Sequence, residues 1–271
     1  MRPWRLLFGG FLVLCFILQA GAQVSVIGEL SQDKDVRPGE TYDGIITVRN
    51  DTDVPQDAKI YQTDYLFRFD GTNDYGSPGS HTRSNAKWVT FSPSYLTIPP
   101  LSTMTVNYTV TVPAAADGKP LVGTYWSMLM VEGIPKTSPE ASGAKKKDEM
   151  GIMQTIRYGI QVASTITQTG AKKINFIDTK LITPEKGRRV LQVDIENTGE
   201  IGMRPEVYVE LFDQQGVSRG KYFGTRNRLY PGTSVRQNID LSAVQQGTYK
   251  ALVVVDAGGE DIFGAQYTLK F

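Results

Sequence analysis

The sequence predicts an all-β chain: an export signal followed by two tandem antiparallel β-sandwiches. Three observations carry this. Most segments after residue 22 are short, rich in β-branched and aromatic residues, and bounded by Gly, Pro or Asn. No window shows a sustained helical period with caps. The second half of the chain repeats the order of segments found in the first.

The first 22 residues read as a signal peptide. Arg2 and Arg5 form a basic start, Leu6 to Leu18 an apolar stretch of 13 residues, and Ala20-Gly21-Ala22 a small-residue cleavage site. A spanning helix needs about 20 apolar residues, so this stretch is too short to be one. Cleavage is expected after Ala22. Cys15, the only cysteine, follows Leu14 where a lipoprotein site requires a small residue, so no lipid anchor is expected. The mature chain then has no cysteine, and each sandwich relies on its own apolar core.

The strands follow in order. VSVIGEL is a first strand, and YDGIITVRN a second that ends at the turn NDTDVPQD. In AKIYQTDYLFRF, Tyr61, Thr63, Tyr65, Phe67 and Phe69 alternate onto one face, which reads as one strand. DGTNDYGSPGSHTRSN is a loop by composition. KWVTFSPSYLTIPPLS holds two short strands split by prolines. MTVNYTVTV is the cleanest strand, with Met104, Val106, Tyr108, Val110 and Val112 on one side.

The halves match segment by segment. ITVRNDT corresponds to VDIENTG, AKIYQTDYLFRFDG to RPEVYVELFDQQG, and VGTYWSMLMVE to QGTYKALVVVD, the last pair sharing Gly-Thr-Tyr. The expected organisation is a signal peptide over 1–22 and sandwiches over 23–168 and 169–271. The join lies near TQTGAKK.

The most distinctive stretch runs from Leu121 to Thr167. Two strand-like segments flank the polar run at 133–151, which carries Lys145-Lys146-Lys147 and reads as a long loop. Loops of this length in a compact domain are usually functional or disordered. In the strand after it, Ile152, Ile156, Tyr158, Ile160 and Val162 share one face, with Gln154 as the exception, while Thr155, Arg157, Gln161 and Ala163 share the other. Two uses of that apolar row remain open: filling the first core, or pairing with a foreign strand.

Most catalytic chemistry lacks its residues. His81 is the only histidine and sits in a polar loop, where a histidine is usually solvated. The mature chain has no thiol, no G-x-S-x-G, no P-loop and no H-E-x-x-H. No catalytic residue, cofactor or metal site is expected. Asp70-Gly71-Thr72-Asn73-Asp74 offers hard oxygens but lacks the spacing of a calcium loop, so an ordinary turn is the better reading. A net charge of +1 spread along the chain argues against a nucleic-acid surface, and no second apolar run approaches spanning length.

Trp88, Trp126, Tyr125, Tyr95 and Tyr230 are candidate rings for stacking on sugars, the basis of an alternative adhesion or glycan-binding reading. In TYWSMLMVE both faces are apolar: Trp126, Met128 and Met130 on one, Tyr125, Leu129 and Val131 on the other. One face fills the sandwich. The other is covered by the second sandwich or forms a binding surface, for which Met is suited by its flexibility. Asn50 and Asn107 stand in N-x-T triplets, which arise readily by chance.

Over roughly residues 24–165, and more weakly over the second half, the chain resembles the PapD-like periplasmic chaperones. The likeness lies in the strand Ile46 to Asn50 with its Asn turn, in SYLTIPPLSTMTVNYTV, in YWSMLMVEGIP followed by a long loop, and in the next strand with Gln154, Thr155 and Arg157. That resemblance implies two immunoglobulin-like sandwiches in an L and a periplasmic chaperone for surface or fimbrial subunits. The strand after the loop would offer Ile152, Ile156, Tyr158, Ile160 and Val162 to the partner, with Arg157 as the match to a cleft cation. QVSVIGEL lacks the basic residue those chaperones carry there, and GTNDYGSPGSHTRSN is longer than expected. The chain is similar, more weakly, to WxL-interacting surface proteins in PGETYDGIITVRN. The reading is therefore a non-enzymatic protein of the periplasm or exterior, whose partner is an exported subunit and not a nucleic acid or a membrane.

Overall fold

The computed structural model describes residues 24–134, 155–185 and 187–271. The expected signal peptide, Ile152 and most of the 133–151 run lie outside the described residues. Two sheets built from the first half face each other across one core, and two from the second half across another.

In the first half, one sheet has the order β1-β3-β9-β7: β1 (Val24–Ile27), β3 (Thr41–Asn50), β9 (Thr103–Thr111) and β7 (Val89–Ser92). The facing sheet has the order β2-β11-β10-β4-β8: β2 (Ser31–Val36), β11 (Arg157–Ile166), β10 (Gly123–Ile134), β4 (Gln56–Thr63) and β8 (Tyr95–Ile98). Val48, Val106, Val110, Leu129, Val131, Ile160 and Val162 fill the space between. Alternation dictates this: on β9, Val106, Tyr108 and Val110 are buried while Thr105 and Asn107 face water.

The second half repeats the plan with β12 (Ile174–Ile182), β13 (Val190–Asn197) and β16 (Ser234–Asp240) in one sheet. The other has the order β15-β14-β17-β18: β15 (Ser218–Phe223), β14 (Glu206–Phe212), β17 (Thr248–Asp256) and β18 (Ile262–Lys270). The correspondence reaches single atoms. Asn50 and Asn197, both fully buried, end β3 and β13. Asn50 Nδ2 donates to Val54 O (2.8 Å) and Ile98 O (3.1 Å), and its Oδ1 accepts from Thr52 N (2.9 Å). Asn197 Nδ2 donates to Ile201 O (2.8 Å) and Leu229 O (3.1 Å), and its Oδ1 accepts from Gly199 N (2.9 Å). Each asparagine thus satisfies the backbone of a turn and of a distant segment that would otherwise be buried without partners. Asn50 has no freedom left to carry a glycan, whereas Asn107 is exposed.

Three features differ from the sequence expectation or lie outside it. AKIYQTDYLFRF is not one strand: β4 stops at Thr63, and Leu66–Phe67 (β5) pairs with Asn73–Asp74 (β6) in a small separate hairpin. The cause is Asp64, which is buried and turns inward to accept hydrogen bonds from Ser80 N (2.6 Å), Ser80 Oγ (3.0 Å), His81 N (3.1 Å) and Ser84 Oγ (2.5 Å). Secondly, SQDKDV, for which the sequence carries no expectation because it lacks apolar alternation, is a strand. As β2 it lies at a sheet edge, where charges such as Asp33, Lys34 and Asp35 deter further pairing. Thirdly, β10 extends through Gly133 and Ile134, into the run read as loop.

The first strand-forming stretch changes sheets. β1 pairs antiparallel with β3, and three residues later β2 pairs parallel with β11. Gly28, at φ +103, makes that crossing, in a region L side chains rarely adopt.

Candidate functional site

β11 is paired along its whole length with β10, from Arg157 opposite Glu132 to Ile166 opposite Gly123. On its other side β2 covers only Gln161 to Ile166, starting where Gln161 N donates to Leu30 O at 2.9 Å. Among the described residues, Arg157 to Ile160 pair with β10 alone. Backbone groups alternate sides along a strand. Because Gln161 N–H points to the β2 side, the N–H and C=O groups of Gly159 and Arg157 also point outward, at an edge with no strand beside it among the described residues. The cause is the sheet change at Gly28, which brings the first segment alongside β11 only from Ser31 onward.

The candidate row divides along this strand. Ile160 and Val162 are buried in the first core, Tyr158 packs against that core, and Ile156 is half-buried just before β11. The inward row therefore serves the core at its C-terminal end, and the open edge lies at its N-terminal end.

The outward face of β4, β10 and β11 presents three rows across the sheet. They are Thr63–Met128–Gln161, Tyr61–Met130–Gly159 and Lys59–Glu132–Arg157. The two apolar faces of TYWSMLMVE meet different fates. Leu129 and Val131 fill the core. On the other face, Trp126 lies under the second sandwich, while Met128 and Met130 line a groove of about 450 Å³ walled by Tyr65 and Tyr75. The second sandwich thus covers one end of that face, and a groove lies at the other.

That wall is held in place by the inward turn at Asp64 and by Trp126 Nε1, which donates to Tyr65 O at 2.8 Å. Burial works to raise the Asp64 carboxyl pKa, but the Ser84 hydroxyl and the His81 N–H outweigh it and hold it below the usual value. His81 is not a free loop histidine. Its ring packs on Trp126 with centroids 4.6 Å apart, and burial lowers its pKa. Asp64 and the Trp126 indole N–H were illegible as anchors in the sequence, since their partners lie in distant loops.

Arg157 sits at the far end of the groove. Its Nε is 2.9 Å from Glu132 Oε2, which also accepts from Tyr61 OH at 3.0 Å, while Lys59 Nζ is 3.1 Å from Oε1. Burial tends to raise the Glu132 carboxyl, but these partners outweigh it and its pKa lies below the usual value. Arg157 pairs opposite Glu132, six residues along β10 from Trp126, or about 20 Å at the usual strand rise. It is thus remote from the junction between the sandwiches. Cations at that junction include Arg68, whose Nη1 donates to Gly232 O, Arg228, which pairs with Asp33, and Arg83, which donates to Val122 O at 2.8 Å. Gly123 belongs to the same junction: at φ +71, a Cβ on it would meet Glu200 O at 2.0 Å.

The rings proposed for sugar stacking are mostly used internally. Trp126 and Tyr230 are buried against each other, and Trp88 and Tyr125 pack together at 4.8 Å on the first core. Tyr95 is exposed. Asp70, proposed as a turn residue, accepts from Thr72 N through Oδ1 at 2.9 Å. Among the described residues no helix is long and apolar enough to cross a membrane.

No family model matches the chain, and no curated protein matches it. Solved structures similar in form across most of its length include the following three. The class 5 fimbriae chaperone CfaA is 11% identical, with 90% of this chain and 98% of that one covered and a TM-score of 0.46. The CsuC–CsuE chaperone–tip subunit pre-assembly complex of Acinetobacter baumannii is 11% identical, with 90% and 98% covered and a TM-score of 0.44. The E. coli chaperone DraB is 14% identical, with 89% and 95% covered and a TM-score of 0.42.

Proposed function

We propose that this chain is an exported, non-enzymatic binding protein that holds another exported chain by strand addition at Arg157–Ile160. It would act as a chaperone for subunits of a surface or fimbrial structure, in the periplasm or outside the cell. The partner class is the one described for CsuC, a surface-structure subunit. In the same proposal the chain is cleaved after Ala22 and divides into units 23–168 and 169–271.

One observation carries the reading: two outward-facing pairs of backbone N–H and C=O groups, at Arg157 and Gly159, on a strand whose remaining length is covered by β2. An open edge draws affinity from main-chain hydrogen bonds and specificity from alternate side chains. Tyr158 and the half-buried Ile156 supply apolar side chains beside it, and Ile152 lies outside the described residues.

Amide exchange tests this directly. In the free protein the Arg157 and Gly159 amides exchange fast and the Gln161 amide slowly, because Leu30 O already holds it. On binding a partner purified from the cell envelope, Arg157 and Gly159 become protected. Protection appearing elsewhere while these two stay fast sinks the proposal. Arg157→Pro removes an outward N–H that β10 does not use, so it is expected to abolish capture and leave the melting temperature within a few degrees.

A further inference from the structure

The open edge and the Tyr/Met groove share residues, and we infer that the groove is a side-chain pocket for the added strand. It accepts a large apolar side chain of the Phe, Leu or Met class abreast of Gly159, with a carboxylate two positions along abreast of Arg157. This rests on the reading of Arg157–Ile160 as the docking edge.

The three rows across the sheet set the geometry. A strand laid outside β11 extends each row by one residue, with side chains about 4.5–5.5 Å from their neighbours. In the middle row the neighbour is Gly159, which has no side chain to fill the space above it. Met128 leans there instead: a Cβ on Gly159 would lie 2.2 Å from Met128 Sδ. The thioether is an unbranched, polarisable end that re-packs readily. Behind it stand Met130 and the Tyr65–Tyr75 pair, whose rings are 5.1 Å apart. An incoming residue abreast of Gly159 thus meets a soft apolar floor and an aromatic wall, in a groove of about 450 Å³.

Two further features point to an occupant. Gln161 Oε1, at the inner end of the groove, is buried and has no hydrogen-bond partner among the described residues, so a donor on the incoming segment would satisfy it. At the outer end, Lys59 and Arg157 share a single carboxylate, Glu132, and their side chains are 48% and 60% exposed. Glu132 divides its two oxygens between both cations, and the exposed Arg157 guanidinium at the edge strand favours an acidic residue in the neighbouring position.

Labelled nine-residue peptides of alternating Val and Thr, with Asp two positions from the centre, provide the test with the secreted protein. One carries Phe at the centre, one Ala, and a third carries Phe with alternate amides N-methylated. The Phe peptide is expected to bind at least about tenfold more tightly than the Ala peptide by fluorescence anisotropy. N-methylation is expected to abolish binding. Gly159→Ala drives Met128 into the groove and should erase most of the Phe preference, with thermal unfolding little changed. Tyr75→Ser, which removes an exposed wall, should lower the preference as well without touching the core. Equal binding of the Phe and Ala peptides, still blocked by N-methylation, overturns the pocket and leaves the edge standing. A Phe preference indifferent to N-methylation overturns the edge reading instead. No binding of any peptide overturns both.

Discussion

Trp126 of the first sandwich and Tyr230 of the second lie stacked, with ring centroids 4.6 Å apart and planes 9° from parallel. Each is about 1% exposed, with Leu66, Phe67, His81 and Ala163 packed around the stacked pair. Around them, Thr124 N donates to Glu200 O at 2.8 Å and Gly202 N to Thr124 Oγ1 at 2.7 Å, joining the halves through backbone as well as rings. Trp126 also holds Tyr65 through its indole N–H. One residue therefore ties the second sandwich to the wall of the groove.

Trp126→Ala is expected to cost about 3–5 kcal/mol, as for other large aromatic residues removed from a packed site. Calorimetry should then resolve two transitions, one per sandwich, in place of a coupled one. A single transition with a small shift would show that the ring stack contributes little to coupling.

Asn50→Ala and Asn197→Ala should each destabilise their own sandwich by about 2–4 kcal/mol, because each leaves buried carbonyls without a donor. Denaturant unfolding followed separately for the two halves measures this. An effect below about 1 kcal/mol at either site would mean that water replaces the amide there.

Glu132 predicts an acid-sensitive contribution to stability. Its folded-state pKa is lowered, so the contribution is fully present above the unfolded value near 4.5 and is lost as pH falls through the folded value. Thermal midpoints should drop below about pH 4.5, and Glu132→Gln should flatten that part of the profile. An identical slope in the variant would assign the acid sensitivity to other carboxylates, Asp64 among them.

Ile160 and Ile156 separate core from edge. Ile160 is 1% exposed in the first core, so Ile160→Asp buries an unpaired charge and is expected to unfold the sandwich. Ile156 is half-buried before the strand begins, so Ile156→Asp should leave the melting temperature within a few degrees while weakening partner capture. Equal destabilisation by both would place Ile156 in the core as well.

Much of the fold was legible in the sequence because period-two alternation states which residues share a face. Val106, Tyr108 and Val110 could be assigned inward together before any partner was known. The pairing of ITVRNDT with VDIENTG was legible for the same reason, and the structure extends it to the matched hydrogen bonds of Asn50 and Asn197. The failures have a common form. SQDKDV has no alternation and becomes a strand only because β11 lies beside it. Tyr65 keeps the phase of Tyr61 and Thr63 yet leaves the sheet, because Asp64 finds Ser80, His81 and Ser84 across a loop.

The alternating pattern by itself determined that Ile156, Tyr158, Ile160 and Val162 point one way and Arg157 and Gln161 the other. Only the tertiary structure decided where along that strand β2 stops and which end of TYWSMLMVE the second sandwich covers. It also decided that Arg157 meets Glu132 rather than the junction. Side-chain direction follows from local backbone geometry, which neighbouring residues specify. What lies alongside an edge or over a face depends on segments far apart in the chain, whose approach is set by packing across the whole molecule.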